Sequence, residues 1–393
     1  MRMLVCEWTA YMQQDLEDCL HGFGIDTVEY GYRWIGNFEE DDYFVRNFRP
    51  ILEREKDSVD AVISMNYMAP LAVLCFELQL PYIAWVYDCP FGLVHPEKTL
   101  GLKTNYVFMF DRAEAEKYIR HGFDTVYHLP LAVNVNRLDE IASSADRDWL
   151  ADVTFVGNLY GNDFDPLRTC LPEYEGGYID GLMRAQSVLY GAYILRDGIS
   201  EKVTEEWKRY YTGSKEIEML DPEHFQRWME STIAKEITRR ERRKILSVLS
   251  HHTHTCLYSP YPDDMLKDVD QRGVISAFDE APKVYNRSKV NLNMTLKNLT
   301  SGIPLRALEI MGSGGFLLSN WQPEIAENFV DGEEVVMYDS IEDAIKKAMY
   351  YVSHDEERMR IAANGRRAAE RFSFENQVGC ILKTVFPEGM DGV

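Results

Sequence analysis

The sequence predicts an α/β protein of two Rossmann-like, doubly wound domains, with a helical insert in the C-terminal half. Three observations lead there. Short β-rich runs alternate with helical patterns over the first 130 residues, the alternation breaks at a proline, and a second alternation follows that is itself split by about a hundred residues of helical, charged sequence. Strands interleaved with helices imply a parallel sheet covered on both faces.

In the first domain, strands are expected at Met3 to Glu7, Thr27 to Tyr30, Val59 to Met65, Tyr82 to Tyr87, Tyr106 to Phe110 and Thr125 to Leu129. Helices fall between most of them, such as Asp15 to Phe23 and Ala113 to His121, the latter closed by Gly122. Pro130 interrupts ladder and helix alike, so the linker lies around Leu129 to Asn134 and the first domain covers 1–133. The second domain, 134–375, opens with Asp152 to Gly157 and carries a helical insert over about 163–250. Its further strands are expected at Thr255 to Tyr258, Val274 to Ala277, Val290 to Met294, Phe316 to Ser319 and Val335 to Tyr338. Ser340 with Asp343 makes a capping box, Asp355 to Phe372 reads as an amphipathic helix interrupted at Asn364-Gly365, and 376–393 forms a tail. Two such domains leave a cleft where the C-terminal ends of their strands face each other, the usual place for a ligand in doubly wound folds.

Composition narrows the partners. The chain has 393 residues, and its 42 Lys and Arg against 64 Asp and Glu give a net charge of −22. Such a polyanion repels nucleic acid and anionic lipid unless a local basic groove intervenes, so no nucleic-acid partner is expected. Seven scattered cysteines, without a C-x-x-C pair or zinc-like spacing, read as reduced thiols. No stretch reaches the roughly 20 apolar residues of a membrane span, and the start enters a strand without signal-peptide regions. A cytoplasmic location is the expectation.

The chemistry concentrates in Ser301 to Gly315, SGIPLRALEIMGSGG. Proline favours a first helical turn, so a helix is expected near Pro304 with Ser301 and Gly302 at or just before its start. Unpaired amides and the positive dipole end there suit a phosphate without a metal. Arg306, Glu309 and Ser313 share one helical face, while Leu305, Leu308 and Met311 or Gly312 make a buried stripe. Arg306 could meet diphosphate charge and Glu309 the ribose hydroxyls. Blander readings stand beside these: an ordinary cap at Ser301, a tight turn at Gly312 to Gly315, which lacks the Lys-Ser/Thr of a P-loop, and a surface pair between Arg306 and Glu309.

The run NRSKVNLN at 286–293, SGIPLRALEIMGSGGFLLSN at 301–320 and HDEERMRIAANG at 354–365 together resemble the C-terminal domain of the CgeB-like, spore-protein glycosyltransferase-like family. YIAWVYDCP at 82–90, VFMFDR at 107–112 and YHLPLA at 127–132 are similar to the domain that commonly precedes it. The resemblance implies a GT-B glycosyltransferase, with a nucleotide-diphosphate sugar, expected to be a UDP-sugar, as substrate and no cofactor. It places the Gly302 and Ile303 amides at the diphosphate and Glu309 at the ribose, with the nucleobase near Gly273 to Ala277. Ser301, Arg306, Gly157 and Asn158 complete the expected donor site. Related enzymes that retain anomeric configuration carry a Glu-x7-Glu motif. Glu309 matches its second glutamate, and Ser301 stands where the first would be.

Helix dipole and arginine can stabilise a leaving diphosphate without Mg²⁺, so no metal is expected. The Asp-x-Asp triplets at Asp146/Asp148, Asp163/Asp165 and Asp268/Asp270 read as loop or helix-cap acids. His251, His252 and His254 look metal-like but are read as having no Cys or carboxylate cluster nearby. An acceptor base is sought at strand ends of the first domain: Asp88 first, then Glu7 and His95, with Asp111 better explained as a helix cap. Lys235 to Lys244, with six basic residues, reads as a solvated helix face or a patch for an acidic partner, an anionic polymer or the membrane surface. Trp8, Tyr11, Trp34 and Tyr67 could stack on acceptor sugars, and core packing explains them equally well. The expected activity is sugar transfer to a hydroxyl of a glycan or protein. The alternatives are a non-catalytic nucleotide- or carbohydrate-binding structural protein and, more distantly, a sugar-phosphate epimerase.

Overall fold

A computed structural model describes residues 1–7, 11–31, 42–93, 95–143, 148–161 and 163–388. It divides into two compact units, Met1–Asn134 with Ala369–Val393, and Val135–Ala368. Trp8, Trp34 and Asp146 lie outside the described residues.

In the first unit, β1 (Arg2–Glu7), β2 (Asp26–Gly31), β3 (Ala61–Met65), β4 (Tyr82–Val86), β5 (Asn105–Met109) and β6 (Val126–His128) form one sheet in the order β2-β1-β3-β4-β5-β6. All neighbours are parallel. β3 and β4 are buried along their whole length, which is why they read as unbroken apolar runs rather than alternating ones. Leu4, Val62, Tyr82, Ala84 and Val107 form the core with helix residues such as Leu71 and Leu74.

In the second unit, β7 (Ala151–Val156), β8 (Thr255–Tyr258), β9 (Asp270–Gln271), β10 (Ser288–Asn293), β11 (Leu317–Asn320) and β12 (Val336–Tyr338) line up as β12-β11-β10-β7-β8-β9. These pairs too are parallel. β7 lies between β10 and β8, so the strand order reverses beside it, and the crevice at such a switch point is where doubly wound sheets bind ligands. The insert has its own core, including Phe164, Ile179, Trp207 and Phe225. Its last helix, Pro222–Ser250, is capped by Asp221, which accepts from the His224 amide. That helix continues into the sheet's core through Ile245, Leu246 and Leu249, tying insert to sheet.

Three expectations fail here. Val274 to Ala277 is not a strand: Gly273 turns at φ 76°, and the Ser276 amide bonds the Glu280 carboxylate at 2.7 Å, so a local turn wins over the ladder. The strand that pairs with β8 is instead the two-residue β9. The helix Asp355–Ala369 runs through Asn364-Gly365 without a break. A Cβ on Gly365 would come within 2.5 Å of the Glu334 carbonyl oxygen, so this glycine permits close packing rather than ending a helix. The domain limits 134–375 and 376–393 also shift, because residues from Ala369 onward belong with the first unit. The Ser373-capped helix Phe374–Val385 packs on the helix Gln13–Gly22, Phe374 meets Trp85 edge-on at 5.9 Å, and Val133 bridges Ser373.

Candidate functional site

The carboxyl ends of β7 and β10 gather a set of polar groups. Asn293, which ends β10 and is fully buried, receives a hydrogen bond from Arg306 Nη1 at 3.3 Å and donates to Ser319 Oγ at 2.9 Å. The Arg306 guanidinium lies over the Phe155 ring, 5.1 Å from its centroid. Gly157 makes that position possible, since a Cβ there would stand 2.8 Å from Arg306 Nη2 and 2.9 Å from Phe155. Arg306 and Gly157 are thus brought together, and Asn158 follows at once. Its side chain accepts from the Tyr160 amide at 2.6 Å, and its carbonyl accepts from Arg242.

Sequence reasoning missed Arg242, which sits in the basic run read as a solvated face. It is buried, donates to the carbonyls of Asn158 and Met294, and lies 4.9 Å from the Phe155 centroid and 5.0 Å from that of Tyr160. Burial pulls its pKa down from the usual arginine value. A guanidinium with two strand-end carbonyls as acceptors fixes both strand ends and adds positive potential to them. Three more of the run's arginines are paired: Arg239 and Arg240 with Glu236, and Arg243 with Asp263. The solvated-face reading fails because this helix is buried on several sides.

Lys297 was also missed. Its ammonium meets Glu241 Oε2 at 2.8 Å with both side chains buried, and stands 3.7 Å from the Tyr190 ring centroid. Tyr190 and Tyr338 donate to the other Glu241 oxygen at 2.9 and 3.3 Å. Burial lowers the Lys297 pKa, while Glu241 opposes the change. Tyr190, Gly191, Thr295, Lys297, Asn320 and Gln322 line a concavity beyond β10 and β11.

The helix expected near Pro304 spans Leu305–Gly312, with Pro304 as the residue just before it. Ala307, Leu308, Ile310, Met311 and Gly312 are buried and Leu305 only half so, so the buried stripe is broader than expected and displaced from Leu305. Ser301, Gly302 and Ile303 are buried. The Ser301 hydroxyl bonds Glu324 Oε1 at 2.8 Å, and its carbonyl accepts from the Glu324 amide at 3.1 Å. Glu309 is half-buried, and its charge bears on the buried Tyr285. Ser313 does not join that face as a ligand: its hydroxyl bonds the Glu309 carbonyl at 2.7 Å. Arg306 turns toward Asn293 and Phe155.

In the first unit, Asp88 follows β4. Asn66, at φ 61°, donates to Asp88 Oδ2 at 2.7 Å and accepts from the Tyr87 amide at 2.9 Å. Asp88 is exposed by surface area, yet enough protein crowds its carboxyl that desolvation raises its pKa, opposed by the Asn66 bond. Asp111 caps the helix Arg112–Arg120, accepting from the Glu114 amide. Asp88, Cys89, Asp111 and Glu114 line one hollow. Glu7 ends β1 in an acidic trio with Glu17 and Glu29, their carboxylate oxygens within 4.8 Å of one another. Burial first, and the Glu29 and Glu7 charges after it, push Glu17 up to about 7 against the Gln13 amide. His95 Nδ1 lies 3.5 Å from Glu97. Glu7, Asp88 and His95 therefore sit in three different settings. Tyr67 is a core residue packed on Tyr82 and Phe91, whereas Tyr11 is exposed and meets Tyr87 edge-on at 6.4 Å.

Among the acid triplets, Asp163 and Asp165 stand at the start of the helix Phe164–Cys170, Asp148 precedes β7 and accepts Arg287 on its carbonyl, and Asp268 pairs with His251 at 3.2 Å. Asp270 is a strand residue. The reading that the histidines have no Cys or carboxylate cluster nearby fails at His254, which meets Cys256 and Asp270. The β8–β9 pairing that joins them was not expected.

Residues 235–383 match the family model described as glycosyl transferase-like. No curated protein matches the chain. A glycosyltransferase from Rickettsia africae aligns over 100% of this chain and 99% of its own, with a TM-score of 0.57 at 9% identity. The fold is GT-B. A sucrose-phosphate synthase from Thermosynechococcus elongatus aligns over 98% of this chain and 99% of its own, with a TM-score of 0.53 at 10% identity. A UDP-forming α,α-trehalose-phosphate synthase from Burkholderia vietnamiensis covers the same shares, with a TM-score of 0.52 at 10% identity. Among the described residues no helix of this GT-B chain is long and apolar enough to cross a membrane.

Proposed function

We propose that this chain is a glycosyltransferase that moves a sugar from a nucleotide-diphosphate donor, a UDP-sugar, to a hydroxyl of a glycan or protein. The observation that carries the reading is Arg306, held by Asn293, Phe155 and the glycine at 157 on the switch-point end of β7 and β10. A cation there can stabilise the charge that grows on a departing diphosphate. The helix Leu305–Gly312 adds its positive end, the Gly302 and Ile303 amides precede it, and Glu309 one turn later is assigned the ribose. The family-model match over 235–383 and the UDP-forming activity in the name of one structural relative support the donor class. The resemblance of the motifs to CgeB-like proteins refines it.

Asp88 is assigned the acceptor base, since it follows a strand end and burial raises its pKa above the ordinary aspartate value, which makes the carboxylate a stronger base. Glu7 and His95 are less favoured: one belongs to a carboxylate trio and the other to Glu97. No metal is assigned to the donor.

Titration with UDP and GDP tests the donor site. UDP is expected to bind, with about tenfold weaker affinity in Glu309→Ala, a loss of about 1.4 kcal/mol that fits a charged hydrogen bond. Affinity unchanged by the substitution removes Glu309 from the ribose. The non-catalytic reading is favoured by Ser301, whose hydroxyl is engaged by Glu324 where related enzymes place a glutamate. Slow hydrolysis of a UDP-sugar without acceptor supports the enzyme, and tight binding with no turnover on any acceptor supports the alternative.

A further inference from the structure

At the far edge of the second unit's sheet, three side chains converge that the sugar-transfer reading does not use. His254 directly precedes β8, and Cys256 lies two residues on, so strand alternation turns both to one face. Asp270 of β9 is the register partner of Cys256 and joins them. His254 Nε2 stands 3.2 Å from Asp270 Oδ2, and Cys256 Sγ stands 3.6 Å from each of those atoms.

These spacings match one face of a zinc tetrahedron. Ordinary Zn–N, Zn–O and Zn–S bond lengths at tetrahedral angles put the nitrogen and oxygen about 3.3 Å apart and the sulfur about 3.5 Å from each. We propose that His254, Cys256 and Asp270 bind a zinc ion, with water in the fourth position. The ligand set of imidazole, thiolate and carboxylate suits this borderline-soft cation better than Ca²⁺ or Mg²⁺, which demand oxygen ligands throughout.

The surroundings fit. The His254 amide donates to Asp152 Oδ2 at 3.0 Å, whereas Arg272 donates twice to the ligating oxygen itself, Asp270 Oδ2, at 2.9 and 2.7 Å, so zinc binding has to displace at least one of those two bonds. The Asp152 bond orients His254 from the outer shell. The thiolate and carboxylate supply two negative charges toward the dication beside the Arg272 guanidinium, and the proton that Cys256 gives up passes to solvent. His254 and Asp270 are partly exposed, with side chains 51% and 38% accessible, so an ion can enter. The zinc would fasten β9, only two residues long, to β8. That role is independent of the donor site.

Cobalt reports the geometry. Titrating Co²⁺ into the full-length, metal-stripped chain should produce the near-ultraviolet thiolate-to-cobalt charge-transfer band and the visible bands of tetrahedral cobalt, both abolished by one equivalent of Zn²⁺. Cys256→Ser should lose the charge-transfer band. His254→Ala removes a half-exposed side chain, and should weaken Zn²⁺ affinity at least tenfold and remove the zinc-dependent rise in melting temperature. Absence of the band in the wild-type chain, or its persistence in Cys256→Ser, overturns the site. So does Zn²⁺ affinity in His254→Ala equal to that of the wild type.

Discussion

Asn66 adopts a left-handed backbone at the end of β3, and its carboxamide spans Asp88 and the Tyr87 amide. Asparagine tolerates that conformation better than a β-branched residue would, and the geometry fixes one carboxylate oxygen while the other stays available. Burial raises the Asp88 pKa and Asn66 opposes it. A base must be ionised, so turnover should fall as pH drops through that raised value. Stability runs the opposite way: the folded state holds the proton more tightly than the unfolded one, so this group's contribution declines as pH rises from the ordinary aspartate range through the folded pKa. Asp88→Asn is expected to lower turnover about 100-fold with UDP affinity nearly unchanged, measured by initial rates and calorimetry. Asn66→Ala should move the acid limb of the rate profile to higher pH. Equal activity in Asp88→Asn transfers the role to Glu7 or His95. Asp88 and Asp111 were legible because each follows an apolar strand. The engagement of Ser301 by Glu324 was not, since the two are 23 positions apart and neither residue type specifies the other.

The helix Pro222–Ser250 shows how an element hides its role. Its six basic residues between 235 and 244 suggest a solvated face, yet Glu236 and Asp263 neutralise Arg239, Arg240 and Arg243, and Arg242 goes to strand ends 84 and 52 positions away. Local charge statistics cannot register such long-range pairing. Strands were easier, because a strand covered on both faces needs an apolar run that is visible in the sequence. The exception, Val274 to Ala277, has the right residues but a turn-forming glycine before it and a Ser-Glu hydrogen bond within it. On this helix Glu241 holds the buried Lys297 and two tyrosine hydroxyls. Glu241→Gln leaves the ammonium without its counter-charge and should cost about 3 kcal/mol in urea unfolding. The deficit should shrink at high pH as Lys297 sheds its proton. A change within error would show that the pair is energetically neutral.

At the scale of the whole molecule, the chain leaves its first unit after Asn134 and returns to it at Ala369. The returning helix Phe374–Val385 was not expected, since 376–393 read only as a tail, and no local pattern there names a partner, so its place beside Trp85 could be learned only from the structure. If the first unit depends on it, Phe374→Ala should destabilise that unit by about 3 kcal/mol through lost burial and a residual cavity, seen as a lower urea midpoint. An unchanged midpoint would make the helix an accessory. The GT-B fold alone does not decide activity; the cation at the switch point bears that weight.

The most direct measurement is therefore calorimetric titration of UDP into the full chain and into Arg306→Ala, with circular dichroism to verify that both are folded. The account predicts saturable binding by the native chain and at least about tenfold weaker binding by the variant, as expected when a charge-assisted contact to phosphate is lost. Equal affinities, or no binding by the native chain, would contradict it.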